Sequence, residues 1–110
     1  MRVGQSDGDG VYVVVWKFQV AEEHQEAFER AYGPHGDWTR LFERGKDFQG
    51  TELLRADTSA RDYVTIDRWT SRDAFLAFKE RFAREYDELD TRFLELCEVE
   101  VCLGKFEVVA

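Results

Sequence analysis

The chain has 110 residues, 44% of them hydrophobic and 15% aromatic, which suffices for one packed core and leaves no room for a second. Fifteen Lys+Arg against 23 Asp+Glu give a formal net charge of −8, which opposes nucleic-acid backbones and anionic membrane surfaces, so neither is an expected partner. No stretch approaches the roughly 20 apolar residues that span a bilayer, and residues 1–10 lack the apolar segment of a secretory signal, so a cytoplasmic location is expected.

Residues 1–10, with three Gly, two Asp and no periodicity, read as a flexible tail ahead of one domain over residues 11–110. Residues 11–20, VYVVVWKFQV, are dense in β-branched and aromatic types and predict a strand. Its alternation puts Tyr12, Val14, Trp16 and Phe18 on one face and Val11, Val13, Val15 and Lys17 on the other. From Ala21 the spacing of His24, Ala27, Phe28, Ala31 and Tyr32 predicts a helix, stopped by Gly33-Pro34-His35-Gly36. Asp37 is then expected to cap a short helical turn carrying Trp38, Leu41 and Phe42.

Phe48 to Ala56 and Asp62 to Thr70 read as two strands of a hairpin joined by a polar loop. Ser71 suits an N-cap, and Phe75, Phe78, Phe82, Tyr86, Leu89, Phe93 and Leu96 form an apolar helical stripe. One straight helix from Arg72 to Cys97 would reach about 39 Å, longer than a nine-residue strand at about 30 Å, so a break near Arg84 is predicted. Glu98 to Val109 alternates again as a last strand. Cys97 and Cys102 have neither zinc-site partners nor secretory context and read as reduced, packed thiols.

The order β-α-β-β-α-β is the split pattern of an α+β, ferredoxin-like fold, a four-stranded antiparallel sheet with helices on one face. The opposite face needs cover, which predicts a homodimer. The sequence resembles the antibiotic biosynthesis monooxygenase family of the dimeric α/β-barrel superfamily. The likeness is carried by VWKF at 15–18, FERAYGPHGDWTRLF at 28–42, GTELL at 50–54 and YVTIDRWTSRDAF at 63–75. It implies two such sheets packed face to face around pockets. Haem-degrading relatives carry an Asn on the first strand and a His on the second long helix, and this chain has neither. Other relatives oxidise polycyclic phenols without metal or flavin, through substrate deprotonation in a confined pocket.

For the candidate site, Val64 and Ile66 are expected to face the helices. Tyr63, Thr65, Asp67 and Trp69 would then point between the sheets, joined there by Glu100 and Cys102. In the expected strand order 4-1-3-2, Asp67 and Glu100 would stand about 10 Å apart with Trp16 between them. Buried carboxylates acquire raised pKa values suited to acid–base work, so Asp67, Glu100 and Tyr63 are the candidate catalytic groups. Trp16, Phe18, His35, Trp38, Thr65 and Trp69 are the candidate substrate-binding residues for a small aromatic ligand. With two His in the whole chain and no phosphate-binding Gly loop, neither a metal nor another cofactor is expected.

These features support a cofactor-independent, monooxygenase-like enzyme acting on a small aromatic or quinol-type molecule. The alternative is a non-catalytic homodimer that binds a small hydrophobic ligand, or a purely structural domain whose carboxylates and rings fix dimer geometry.

Overall fold

A computed structural model describes residues 10–109, so the expected tail lies, apart from Gly10, outside the described residues. The first strand, β1, spans Tyr12–Val20 and is followed by a single 3-10 turn and helix α1, Gln25–Tyr32. Helix α2, Asp37–Phe42, precedes strands β2, Phe48–Arg55, and β3, Asp62–Trp69. Helices α3, Arg72–Arg81, and α4, Ala83–Arg92, lead to strand β4, Cys97–Glu107.

The strands form one open antiparallel sheet in the order β2-β3-β1-β4, the predicted ferredoxin-like topology. Tyr12, Val14, Phe18 and Val20 of β1 are buried beneath the helices, whereas Val13 and Val15 lie on the opposite, half-exposed face. The core is built of rings. Phe28 of α1 stacks on Tyr32 at 4.3 Å between centroids and meets Tyr63 of β3 at 4.8 Å, while Trp69 packs within 6 Å of Phe42, Phe48, Phe75 and Phe78.

The expected facing of β3 is therefore reversed. Tyr63, Thr65, Asp67 and Trp69 point into the helices, and Val64 and Ile66 lie on the open face. Aromatic rings remove more area from water per residue than β-branched chains, and they fill the deep space between a sheet and its helices. The shorter Val and Ile leave a flat surface instead.

Local rules explain the element ends. Ser71 caps α3 by accepting a hydrogen bond from the Ala74 N–H at 3.0 Å. Ser71→Ala is expected to cost about 1 kcal/mol, read as a lower urea midpoint at unchanged slope. Asp37 does not cap α2. That position belongs to Gly36, and Asp37 in the first turn pairs instead with Arg40 and Arg92. A Cβ on Gly36 would sit 2.3 Å from the Arg30 carbonyl oxygen, so the close seating of α2 on the end of α1 requires glycine. The helical stripe breaks at Phe82, two residues before the expected point, with Phe75 and Phe78 buried from α3 and Leu89 from α4.

Pairing of β4 with β1 slips between Val15 and Trp16, where Cys102 faces Trp16 but Gly104 faces Val15. This bulge inverts the alternation that the sequence suggests. Lys105 comes opposite Val14 on the helix side, and Phe106 opposite Val13 on the open face. Cys102 is exposed rather than packed, whereas Cys97 is half-buried with its thiol pushed up to about 12, first by burial. Among the described residues, no helix is long and apolar enough to cross a membrane.

Candidate active-site cleft

Between the sheet and its helices runs a cleft in two lobes that share Trp16, Phe42, Asp67 and Tyr86 as a common wall. In the first lobe Trp16 and Phe18 come from β1, Thr51 from β2, and Thr65 and Asp67 from β3. Tyr32 of α1, Trp38 of α2, Tyr86 and Asp90 of α4 and Glu100 of β4 complete it. The second lobe adds Trp69, Phe75, Lys79 and Lys105. About 40 Å³ in the first lobe and 180 Å³ in the second are open to the centres of water-sized molecules. By that measure one water needs about 10–15 Å³, so the first lobe holds a few waters and the second a larger group.

Asp67 sits at the seam. It is 8% exposed, and the Thr51 hydroxyl donates to its Oδ1 at 2.6 Å. Burial raises its pKa from 3.8 to about 6, against the lowering influence of the Thr51 hydrogen bond. No Lys, Arg or His reaches ion-pair distance of it among the described residues. The group is thus ionised near neutrality yet able to take a proton.

Glu100 is raised by burial and then by Asp90, its neighbour at the cleft rim. Its register corrects the expected spacing. Asp67 lies opposite Val14 and Glu100 opposite Phe18, four residues along β1, which puts their Cα atoms roughly 16 Å apart rather than 10. The two carboxyls border one cavity from different ends.

Of the other expected site residues, Trp16, Phe18, Trp38 and Thr65 line the first lobe and Trp69 the second. Tyr63 and His35 line neither. The Tyr63 hydroxyl donates to Glu29 Oε2 at 2.6 Å beneath α1, and its phenol is raised by burial and by that bond. His35 is exposed, and its carbonyl accepts from Arg40 at 2.7 Å.

Sequence reasoning missed Tyr32, Thr51, Tyr86 and Asp90 as cleft residues. Burial is the first cause that lifts both phenols, Tyr32 and Tyr86, well above the usual tyrosine value, so both remain hydrogen-bond donors through the neutral range. The buried indole N–H groups of Trp38 and Trp69 have no acceptor among the described residues. Among the described residues no cluster of His, Cys, Asp or Glu is arranged to hold a metal ion.

An antiparallel βαββαβ sheet with its helices packed on one face defines a ferredoxin-like α+β fold. Within that fold class the chain belongs to the antibiotic biosynthesis monooxygenase family, whose model matches residues 11–83. Its fold is similar to that of SnoaB, a cofactor-independent oxygenase from Streptomyces nogalater, at a TM-score of 0.68 and 23% identity over 92% of this chain and 95% of that one. A Bordetella bronchiseptica structure assigned to the antibiotic biosynthesis monooxygenases aligns at 0.73 and 16% identity, covering 92% and 99% of the two chains. One from Nitrosomonas europaea aligns at 0.67 and 16%, covering 96% and 95%. No curated protein matches the sequence.

Proposed function

We infer that the chain is a monooxygenase-type enzyme that oxidises a small aromatic or quinol-type molecule in this cleft without a bound cofactor. The observation that carries the reading is Asp67, a buried carboxyl with a pKa of about 6, held by Thr51 and walled by aromatic rings. Family membership and the likeness to SnoaB support it.

The chemistry requires a base and a dry site more than it requires an added group. Asp67 takes the proton of a phenol or of an activated ring carbon, which leaves an electron-rich anion. That anion reduces O2 and joins it as a carbon-bound peroxide anion, which takes back the proton from Asp67 to become a hydroperoxide. Loss of water then leaves a carbonyl at the former C–H carbon, with one oxygen atom in the product and the other in water. Tyr32 and Tyr86, still protonated, donate hydrogen bonds to the developing oxyanion. Trp16 and Phe18, ring centroids 6.3 Å apart, stack against the substrate ring.

Oxygen uptake with a panel of hydroxylated naphthacenes and quinols tests this, repeated with Asp67→Asn and Glu100→Gln. A first lobe with room for only a few waters favours one rival, a non-catalytic domain that binds a small hydrophobic ligand. Ligand binding without any uptake across the panel would select that rival.

Pairing with a second copy belongs to the same proposal. The open sheet face carries Leu54, Val99, Val101 and Phe106, each 44–52% exposed, beside Val15 and Ile66. Among the described residues no helix covers this apolar surface, which is the kind that a second sheet buries. Light scattering is expected to give twice the chain mass at micromolar concentration, and Val101→Glu to give the monomer. A monomeric parent protein would remove the pairing.

A further inference from the structure

The second lobe holds two cations that the oxidation chemistry leaves without a task. Lys79 of α3 and Lys105 of β4 both line it, yet neither makes an ion pair within 4 Å among the described residues, in a chain with 23 acidic residues. The Lys79 ammonium lies 3.6 Å from the centre of the Tyr86 ring, and that of Lys105 5.9 Å from the Phe75 ring. Burial first, and then the Lys105 charge, loosen the proton on Lys79, while Asp87 and Asp90 of α4 act the other way. Two like charges in one partly enclosed lobe are unfavourable until an anion lies between them.

The rest of the cleft has the opposite character. Asp90 and Glu100 border the first lobe, and Asp67 stands between the two. An anionic substituent is therefore repelled from one lobe and attracted to the other. Trp69, which walls the lysine lobe, also carries a buried N–H without an acceptor among the described residues.

We propose that the lysine lobe receives a carboxylate on the substrate, so that the molecule oxidised is an aromatic acid with its carboxylate toward Lys79 and Lys105 and its hydroxylated ring at Asp67. The inference rests on the oxidation reading of the cleft and adds to it a substrate class and an orientation. The bulge in β4 is what makes it possible, since unbroken alternation would have turned Lys105 to the open face.

Calorimetric titration of the full-length protein with 6-hydroxy-2-naphthoate and with its methyl ester tests the proposal. A charge-assisted contact in a half-enclosed lobe predicts that the acid binds about tenfold more tightly than the ester. Lys79→Met and Lys105→Met should each weaken the acid by about fivefold or more and leave the ester within about twofold. Added salt should weaken the acid alone, a readout that needs no variant to fold. Equal affinity for acid and ester, or acid binding unmoved by either substitution and by salt, overturns the proposal. Because the readout is binding, the two ideas fail separately. Lysine-dependent acid binding without oxygen uptake sinks the oxidation and keeps the carboxylate site, whereas uptake on neutral quinols that ignores both lysines does the reverse.

Discussion

Trp69→Ala is expected to lower the unfolding free energy by about 3–5 kcal/mol, a large part of the 5–15 kcal/mol that domains of this size possess. Trp69 is 1% exposed and packs against four rings from three segments: Phe42 of α2, Phe48 of β2, and Phe75 and Phe78 of α3. Truncation removes the transfer energy of the indole and leaves a cavity that rings held by separate elements close only in part. Each edge-to-face pair adds about 0.5–1.5 kcal/mol beyond area burial. Trp16, half-buried on the same face, lines the cleft and touches fewer rings, so Trp16→Ala should cost less than half as much. Urea titrations of both variants measure the difference. A Trp69→Ala loss below about 1.5 kcal/mol would mean that the aromatic cluster repacks and does not hold α2 and α3 to the sheet.

Trp69 also marks where the sequence was legible. Element order, the Ser71 cap and the strand order follow from alternation, helical spacing and cap chemistry, all of which are local. Local alternation divides β3 into two faces without saying which is inside. Val64 and Ile66 look like core, while Tyr63, Thr65 and Asp67 bear polar tips, so the polar set invites placement at an interface. Depth decides otherwise, because rings fill the space beneath helices and flat β-branched chains suit a second sheet.

The candidate site was legible in part for a related reason. Asp67, Trp16, Phe18 and Thr65 alternate into the cleft whichever partner covers that face. Tyr32 and Tyr86 fall on apolar helical stripes, where a tyrosine reads as core, and only the packed molecule shows their rings bordering open space. Lys105 depends on a register slip with no sequence signal beyond Gly104. Tyr63 was drawn in by its neighbours on β3, but its hydroxyl belongs to Glu29.

One consequence joins stability to function. The pairing face and the cleft lie on opposite sides of a single sheet, so a second copy would cover Val15 and Ile66 without touching Asp67. Substitutions on the open face should therefore change assembly and spare the chemistry, provided that the isolated sheet keeps its twist. Strand β1 is where the two sides are coupled most closely, since Val13 and Val15 face outward while Val14 and Trp16 face the cleft.

Asp67→Asn should reduce oxygen uptake by about 10²–10⁴ and at the same time make the protein more stable near neutral pH. As a base Asp67 must be ionised, so the parent rate should fall as pH drops through about 6 and level off above it. The stability effect has the opposite sense. A carboxyl whose pKa rises from 3.8 to about 6 on folding binds more protons in the native state across that window, so stability declines as pH climbs through it. Above pH 6 the full penalty is present, about 3 kcal/mol at most. Asparagine carries no charge and still offers its Oδ1 to the Thr51 hydroxyl, so it removes the penalty and keeps the hydrogen bond. Parent and variant should be equally stable near pH 4 and diverge in favour of the variant by pH 7, as urea midpoints at each pH would report. A variant less stable than the parent at pH 7 would mean that Asp67 has a cationic partner. Oxygen uptake within threefold of the parent would remove it as the base.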